Sequence, residues 1–244
     1  MKKLYDEKPL VFALICIAVY VVGSSLMQSL SQLAGVQFLS EAAFNLILSA
    51  VLLVFLLKHR LAEENGLCRS KVSPGLLLFW LPALLAMALP AFLGLGLNGM
   101  TPAEAALHSV RMLLVGFLEE LIFRAFLFNA LRRENLPRAV VISAVTFGLG
   151  HIVNLLGGQA GADTLLQVVF AVTVGFMMVF LYLRSGSILA CIVLHALNNI
   201  LAGFADYALI GGEANRLIWL ALRLTIMAAY TLWLWKKVPA RSEA

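Results

Sequence analysis

Apolar residues fall in long unbroken runs, not in the strict alternation of a strand or the one-sided stripe of a surface helix. Eight runs stand out, at about 10–31, 39–57, 75–97, 106–131, 139–156, 165–183, 188–205 and 217–235. As helices rising 1.5 Å per residue, each is long enough for a hydrocarbon core of roughly 30 Å. Membrane strands would be shorter, about 10 residues, and would alternate polar and apolar positions. Lipid also demands that each backbone group be satisfied internally, which a helix does alone. The pattern predicts an all-α polytopic membrane protein. It is a bundle of about eight transmembrane helices forming a single integral-membrane domain over residues 1–244. The first run reads as a retained helix, because no convincing small-x-small cleavage site follows it. The longest polar stretch, about 58–74, reads as a loop with a turn at Asn65-Gly66. Pro82 and Pro90 are expected to kink the third helix.

Composition supports this reading. Apolar residues make up 62% of the 244 and charged residues 13%, and the mean hydropathy is +0.95. A soluble domain is nearer 45–50% apolar and about 25% charged, so a soluble enzyme and a disordered chain are both excluded. The net charge of +5 points to basic loops, not to a nucleic-acid partner. Apart from Arg111, Arg124 and Arg223 inside spans and Arg216 outside them, all 18 basic residues lie in five places. These are the N-terminal tail, loops 2–3, 4–5 and 6–7, and the C-terminal tail. By the positive-inside rule both termini are then cytoplasmic. The expected location is a bacterial inner membrane, with the lipid bilayer as first partner. Cys16, Cys68 and Cys191 are far apart and form no CxxC, so neither a thiolate zinc site nor a disulfide framework is expected.

Charges inside spans are costly, at least about 2.5–3.5 kcal/mol each at mid-bilayer, so a functional role is the default reading. Among acidic residues, Glu119 and Glu120 are the pair placed within a span. Glu120 and Arg124 are i,i+4 on a helix and can pair. Glu119 points about 100° away and lacks that partner. Alternatively, both carboxylates share Arg124 in a structural network. His151 shares a helix face with Phe147 and Asn154, beside Gly148 and Gly150, which permit close approach. His195 and Asn199 can aim side-chain donors at one point. Interhelical hydrogen bonding is the competing reading for both histidines. Arg111 and His108 are expected to snorkel to the surface, and Arg223 to reach the interface or a partner.

Depth argues for a shared site. Measured from the nearest basic loop, Glu119 and His151 are each about 13 residues in, and His195 and Asn199 about 11 and 15. These distances correspond to roughly 16–22 Å. One carboxylate, two imidazoles and an amide thus share one level. A carboxylate and a histidine can activate water, and His and Asn donors can stabilise an oxyanion. No serine triad, H-E-x-x-H zinc motif or nucleotide loop is present.

Glu-Glu-x-x-x-Arg at 119–124, Phe-x-x-x-His at 147–151 and His-x-x-x-Asn at 195–199 resemble, in order, the three signature motifs of the CPBP family. These are the CAAX-protease and bacteriocin-processing (Abi) membrane enzymes, and the resemblance covers about residues 110–205. It implies an intramembrane glutamic endopeptidase acting on a peptide or membrane-protein substrate. Glu119 would be the general base, His151 would position or polarise water, and His195 and Asn199 would form the oxyanion hole. Glu120 and Arg124 would support them, with Asn154 and Asn198 as secondary candidates. No cofactor is implied. A zinc ion held by Glu119, His151 and His195 is the lesser alternative. The further alternatives are a non-enzymatic bacteriocin self-immunity or scaffold protein on the same fold, and a proton-coupled transporter.

Overall fold

A computed structural model describes residues 1–34, 38–73, 75–89, 94–155, 157–206, 209 and 212–237. It is all-helical, and among the described residues extended pairing is confined to one isolated bridge between Leu95 and Ala205. In chain order the helices are α1 (Lys2–Glu7), α2 (Pro9–Ala34), α3 (Leu39–Lys58), α4 (Leu77–Ala88) and α5 (Pro102–Glu120). The last continues as a π-helix, Leu121–Phe128, and a short α6, Asn129–Arg132. Then come α7 (Leu136–Leu149) with a 3₁₀ extension, Gly150–Leu155, and α8 (Gly161–Ser185), α9 (Leu189–Phe204) and α10 (Glu213–Lys237).

Five helical stretches are long and apolar enough to cross a membrane: Pro9–Ser31, Leu39–Lys58, Leu136–Leu155, Gly161–Ser185 and Asn215–Lys237. The predicted third and seventh spans hold shorter apolar helices, Phe79–Ala88 and Leu189–Phe204. The fourth is long, but its Arg111, Glu119, Glu120 and Arg124 make it too polar to qualify on composition. Pro82 lies inside α4. Pro90, the second predicted kink, and Arg241 of the basic tail lie outside the described residues.

Local chemistry sets the ends. Thr101 caps α5, its hydroxyl accepting from the Glu104 amide while the Glu104 carboxylate accepts from the Thr101 amide. This is a capping box written in the sequence Thr-Pro-Ala-Glu. Those contacts hold the exposed Glu104 carboxyl below the usual carboxylate range. Asn135 caps α7 through Arg138. The predicted turn at Asn65-Gly66 is present, with Gly66 at φ +75° and the Asn65 amide donating to Tyr5 Oη and the Leu61 carbonyl.

Small residues let the helices meet. A Cβ on Gly116 would lie 3.0 Å from the Ala196 backbone nitrogen, where α5 crosses α9. One on Gly175 would lie 2.8 Å from the Ala144 carbonyl, where α8 crosses α7. Without a hydrophobic drive between helices in lipid, such close contact is a main source of association. The π-helix has all eight of its residues buried, and α2, α7 and α8 pack against it.

Gly175→Val is expected to overpack this crossing at a cost of about 1–3 kcal/mol and to lower the detergent melting temperature by several degrees. Gly150→Ala, with nothing within 4 Å of the added methyl, should leave the melting temperature unchanged.

Candidate active site

The site is built where α5 gives way to the π-helix. The wider π turn leaves main-chain groups without their α-helical partners. Ser143 of α7 supplies one, its buried hydroxyl donating to the Phe123 carbonyl at 2.9 Å. Ser143 therefore serves the backbone of the neighbouring helix. π-Helical segments occur frequently at functional sites.

Glu120 is the last residue of α5 and has no exposed surface. Its Oε2 lies 3.3 Å from Arg124 Nε, the i,i+4 pair expected from the spacing. Its Oε1 lies 2.7 Å from His195 Nδ1. Arg124 is also fully buried, with its guanidinium 4.1 Å from the centroid of Phe147. Two buried opposite charges offset each other's desolvation, and the aromatic face adds a cation–π contact.

Glu119 faces differently, as the 100° helix step requires. Its side chain retains 12% exposure and reaches a polar cavity of about 650 Å³. The Tyr20 hydroxyl of α2 donates to its Oε1 at 2.7 Å, and its Oε2 lies 3.5 Å from His195 Nε2. The His195 ring thus stands between the two carboxylates.

His151 is the second residue of the 3₁₀ extension of α7 and lines the same cavity. Its Nδ1 lies 3.2 Å from the Phe147 carbonyl. A hydrogen on Nδ1 then leaves Nε2 as an acceptor. The Phe147 ring lies edge-on between the two histidines, with centroids 5.4 Å from His151 and 5.6 Å from His195. Gly148 admits the α8 backbone, its virtual Cβ lying 2.9 Å from Val172 N, while Gly150 faces open space.

Asn199 also lines the cavity. The Asn198 amide donates to Asn199 Oδ1 at 2.9 Å. Arg223 of α10 in turn donates to Asn198 Oδ1 and, at 3.0 Å, to the Ala86 carbonyl, and it packs on the Phe170 ring. Asn154 donates to Gln167 Oε1 at 2.8 Å on the cavity wall.

Glu119, His151 and Asn199 therefore share one cavity, and His195 touches Glu119 from beneath. A smaller cavity of about 200 Å³ joins His151, His195, Asn198 and Asn199. Among the described residues, no group of three His, Cys, Asp or Glu is arranged to hold a metal ion.

Two expectations need correction. Arg111 does not snorkel: it pairs with Glu41 of α3 and lies 4.4 Å from the Phe38 ring centroid. His108 is buried, between Phe38 and Phe204. Of the two alternatives for Arg223, the interface or a partner, the second holds: it is buried inside the bundle on Asn198. Glu41 had no place among the intramembrane acids, because it stands at the very start of its apolar run. Tyr20 was missed for another reason. A tyrosine in an apolar span reads as packing, and only the approach of α2 to α5 gives its hydroxyl a partner.

Residues 101–201 match the family described as Type II CAAX prenyl endopeptidase Rce1-like. No curated protein and no solved structure matches the chain. The matched stretch begins at the capping residue of α5 and ends on α9 just past Asn199, so it takes in both carboxylates, both histidines and the cavity amide. Over residues 101–201, less than half of its length, the chain is accordingly similar to the Rce1-like type II CAAX prenyl endopeptidases.

Proposed function

We propose that the protein is an intramembrane glutamic endopeptidase. The observation that carries this reading is the division of labour between the two adjacent carboxylates. Glu120 is sealed in and tied to Arg124 and His195, whereas Glu119 meets the cavity beside a second histidine and an amide.

Glu119 accepts a proton from a water molecule whose other hydrogen is held by His151 Nε2. The water oxygen attacks the carbonyl carbon of the scissile peptide bond. Negative charge gathers on the carbonyl oxygen and is met by donors fixed in advance. Glu120 fixes the His195 ring through Nδ1, so that Nε2 is turned toward that oxygen as a donor. The Asn199 amide donates beside it. The C–N bond then breaks, and the proton on Glu119 passes to the leaving amine. Glu120 and Arg124 hold the His195 ring, and Arg223 holds Asn199 through Asn198.

The full topology belongs to the same reading: eight crossings, with both termini on the cytoplasmic side. The confinement of basic residues to alternate loops supports it. At 16 residues, α9 is about 24 Å long, and its amides sit deep in the bundle where polar neighbours replace lipid.

In detergent or nanodiscs, Glu119→Gln should lower peptide-cleaving kcat by about 10²–10⁴ with the melting temperature unchanged. Glu120→Gln leaves Arg124 as a buried uncompensated charge, which costs about 3–5 kcal/mol, so thermal unfolding should occur many degrees earlier. Equal thermal stability of the two variants would refute the assigned roles.

Asn199→Ala should lower kcat by about 10²–10³. Arg223→Met should lower it less, with KM unchanged, because it acts through Asn198. Wild-type cleavage should survive a zinc chelator. If it does not, the zinc alternative replaces the metal-free mechanism. A folded wild type that cleaves no peptide would return the chain to the immunity or scaffold reading.

A further inference from the structure

The polar cavity occupies one half of the bundle. Gln28, on its wall, lies in the later part of α2, far from Lys8. Glu41 begins α3, which ends at Lys58. Arg111 precedes Glu119 on α5, whose continuation ends at Arg132 and Arg133. Gln159 precedes α8, which ends near Arg184, and Gly203 stands at the far end of α9, which begins just after it. Five rods therefore bring to the cavity the ends that point away from the basic loops.

The other direction is closed. Toward the basic side of Glu119, the rings of Tyr5, Phe12, Phe55 and Phe126 pack with centroids 5.1–6.2 Å apart. Below them the π-helix is buried on all sides. Among the described residues, the cavity lining reaches no further toward this layer than Tyr20 on α2 and Phe123 on the π-helix. Gly157 and Gly158, on the cavity wall, are by contrast exposed at the opposite surface.

Positive loops stay on the cytoplasmic side. We infer that the catalytic cavity opens to the non-cytoplasmic face, and that its substrates are polypeptide segments presented at that surface. The substrate class rests on the endopeptidase reading; the direction of opening does not. Amide and hydroxyl side chains on the wall, such as Ser24, Gln28, Asn154, Gln159 and Gln167, offer both donors and acceptors to an extended peptide backbone.

The test uses the full chain in a bacterial host, with the native cysteines replaced by serine. Gln28→Cys and Gln159→Cys place thiols on the cavity wall, and Glu134→Cys marks the basic loop between α6 and α7. Each variant is first shown to react after solubilisation. In intact cells or right-side-out vesicles, a membrane-impermeant maleimide should label both cavity thiols and spare position 134, and inverted vesicles should reverse the pattern. Labelling of the cavity thiols in inverted vesicles alone overturns the inference. In parallel, one peptide segment cleaved by the purified protein is fused to a single-span anchor in either orientation. It should be cut when presented outside, at least tenfold faster than when presented inside, and not at all with Glu119→Gln. Faster cutting of the inward fusion overturns the substrate assignment. Cleavage of neither also overturns the substrate assignment, while the labelling still decides the face; a purified protein that cleaves no peptide at all overturns the endopeptidase reading instead.

Discussion

A guanidinium with no exposed surface, in a bundle that lies among lipid tails, must find its counter-charge within the protein. Arg124 finds it in Glu120, one π-helical turn back. Glu120 spends its other oxygen on His195. This chain of charge fixes three things at once: the rotation of the α5 continuation, the position of α9 beside it, and the orientation of the His195 ring. Glu119 is then turned by its place in sequence toward the polar cavity. The pairing of Arg124, Glu120 and His195 is thus what places the adjacent carboxylate at a cavity wall.

Around that chain the bundle repeats one economy. At three buried polar positions a second helix supplies the partner: Ser143 answers the π-helix carbonyl, Tyr20 answers Glu119, and Glu41 answers Arg111. Where helices cross closest, glycine or alanine removes the side chain, as at Gly116 and Gly175. The aromatic layer on the basic side closes mainly by edge-to-face packing, with the Tyr5 hydroxyl answered by Asn65.

Much of this was legible along the chain. Long charge-free runs announce helices in lipid, since no other single-segment structure satisfies its own backbone there. The spacing of Glu120 and Arg124 announces a pair because four residues return a helix to the same face. Equal depth of Glu119, His151, His195 and Asn199 announces convergence because lipid tolerates few unexplained polar groups. The rest depends on which helix lies beside which. Tyr20 is 99 residues from Glu119 and Arg223 is 25 from Asn198, and no local pattern encodes either meeting. Arg111 was misjudged because a position near a span end fits snorkelling as well as pairing. The number of crossings is less legible still, because the polar residues that make a helix functional also make it look too hydrophilic for lipid.

The π-helix has a further consequence for how such a protein can change. A stretch of π-helix accommodates more residues per turn than α-helix, so it behaves as an insertion absorbed without breaking the rod. Losing one residue between Leu121 and Phe128 would let the turn tighten to ordinary α-helix while the segments on either side keep their bearing. Glu119 and Arg132 are in this sense joined by a register that tolerates one residue more or less. A codon lost there would leave the carboxylate at its cavity and every other helix where it stands.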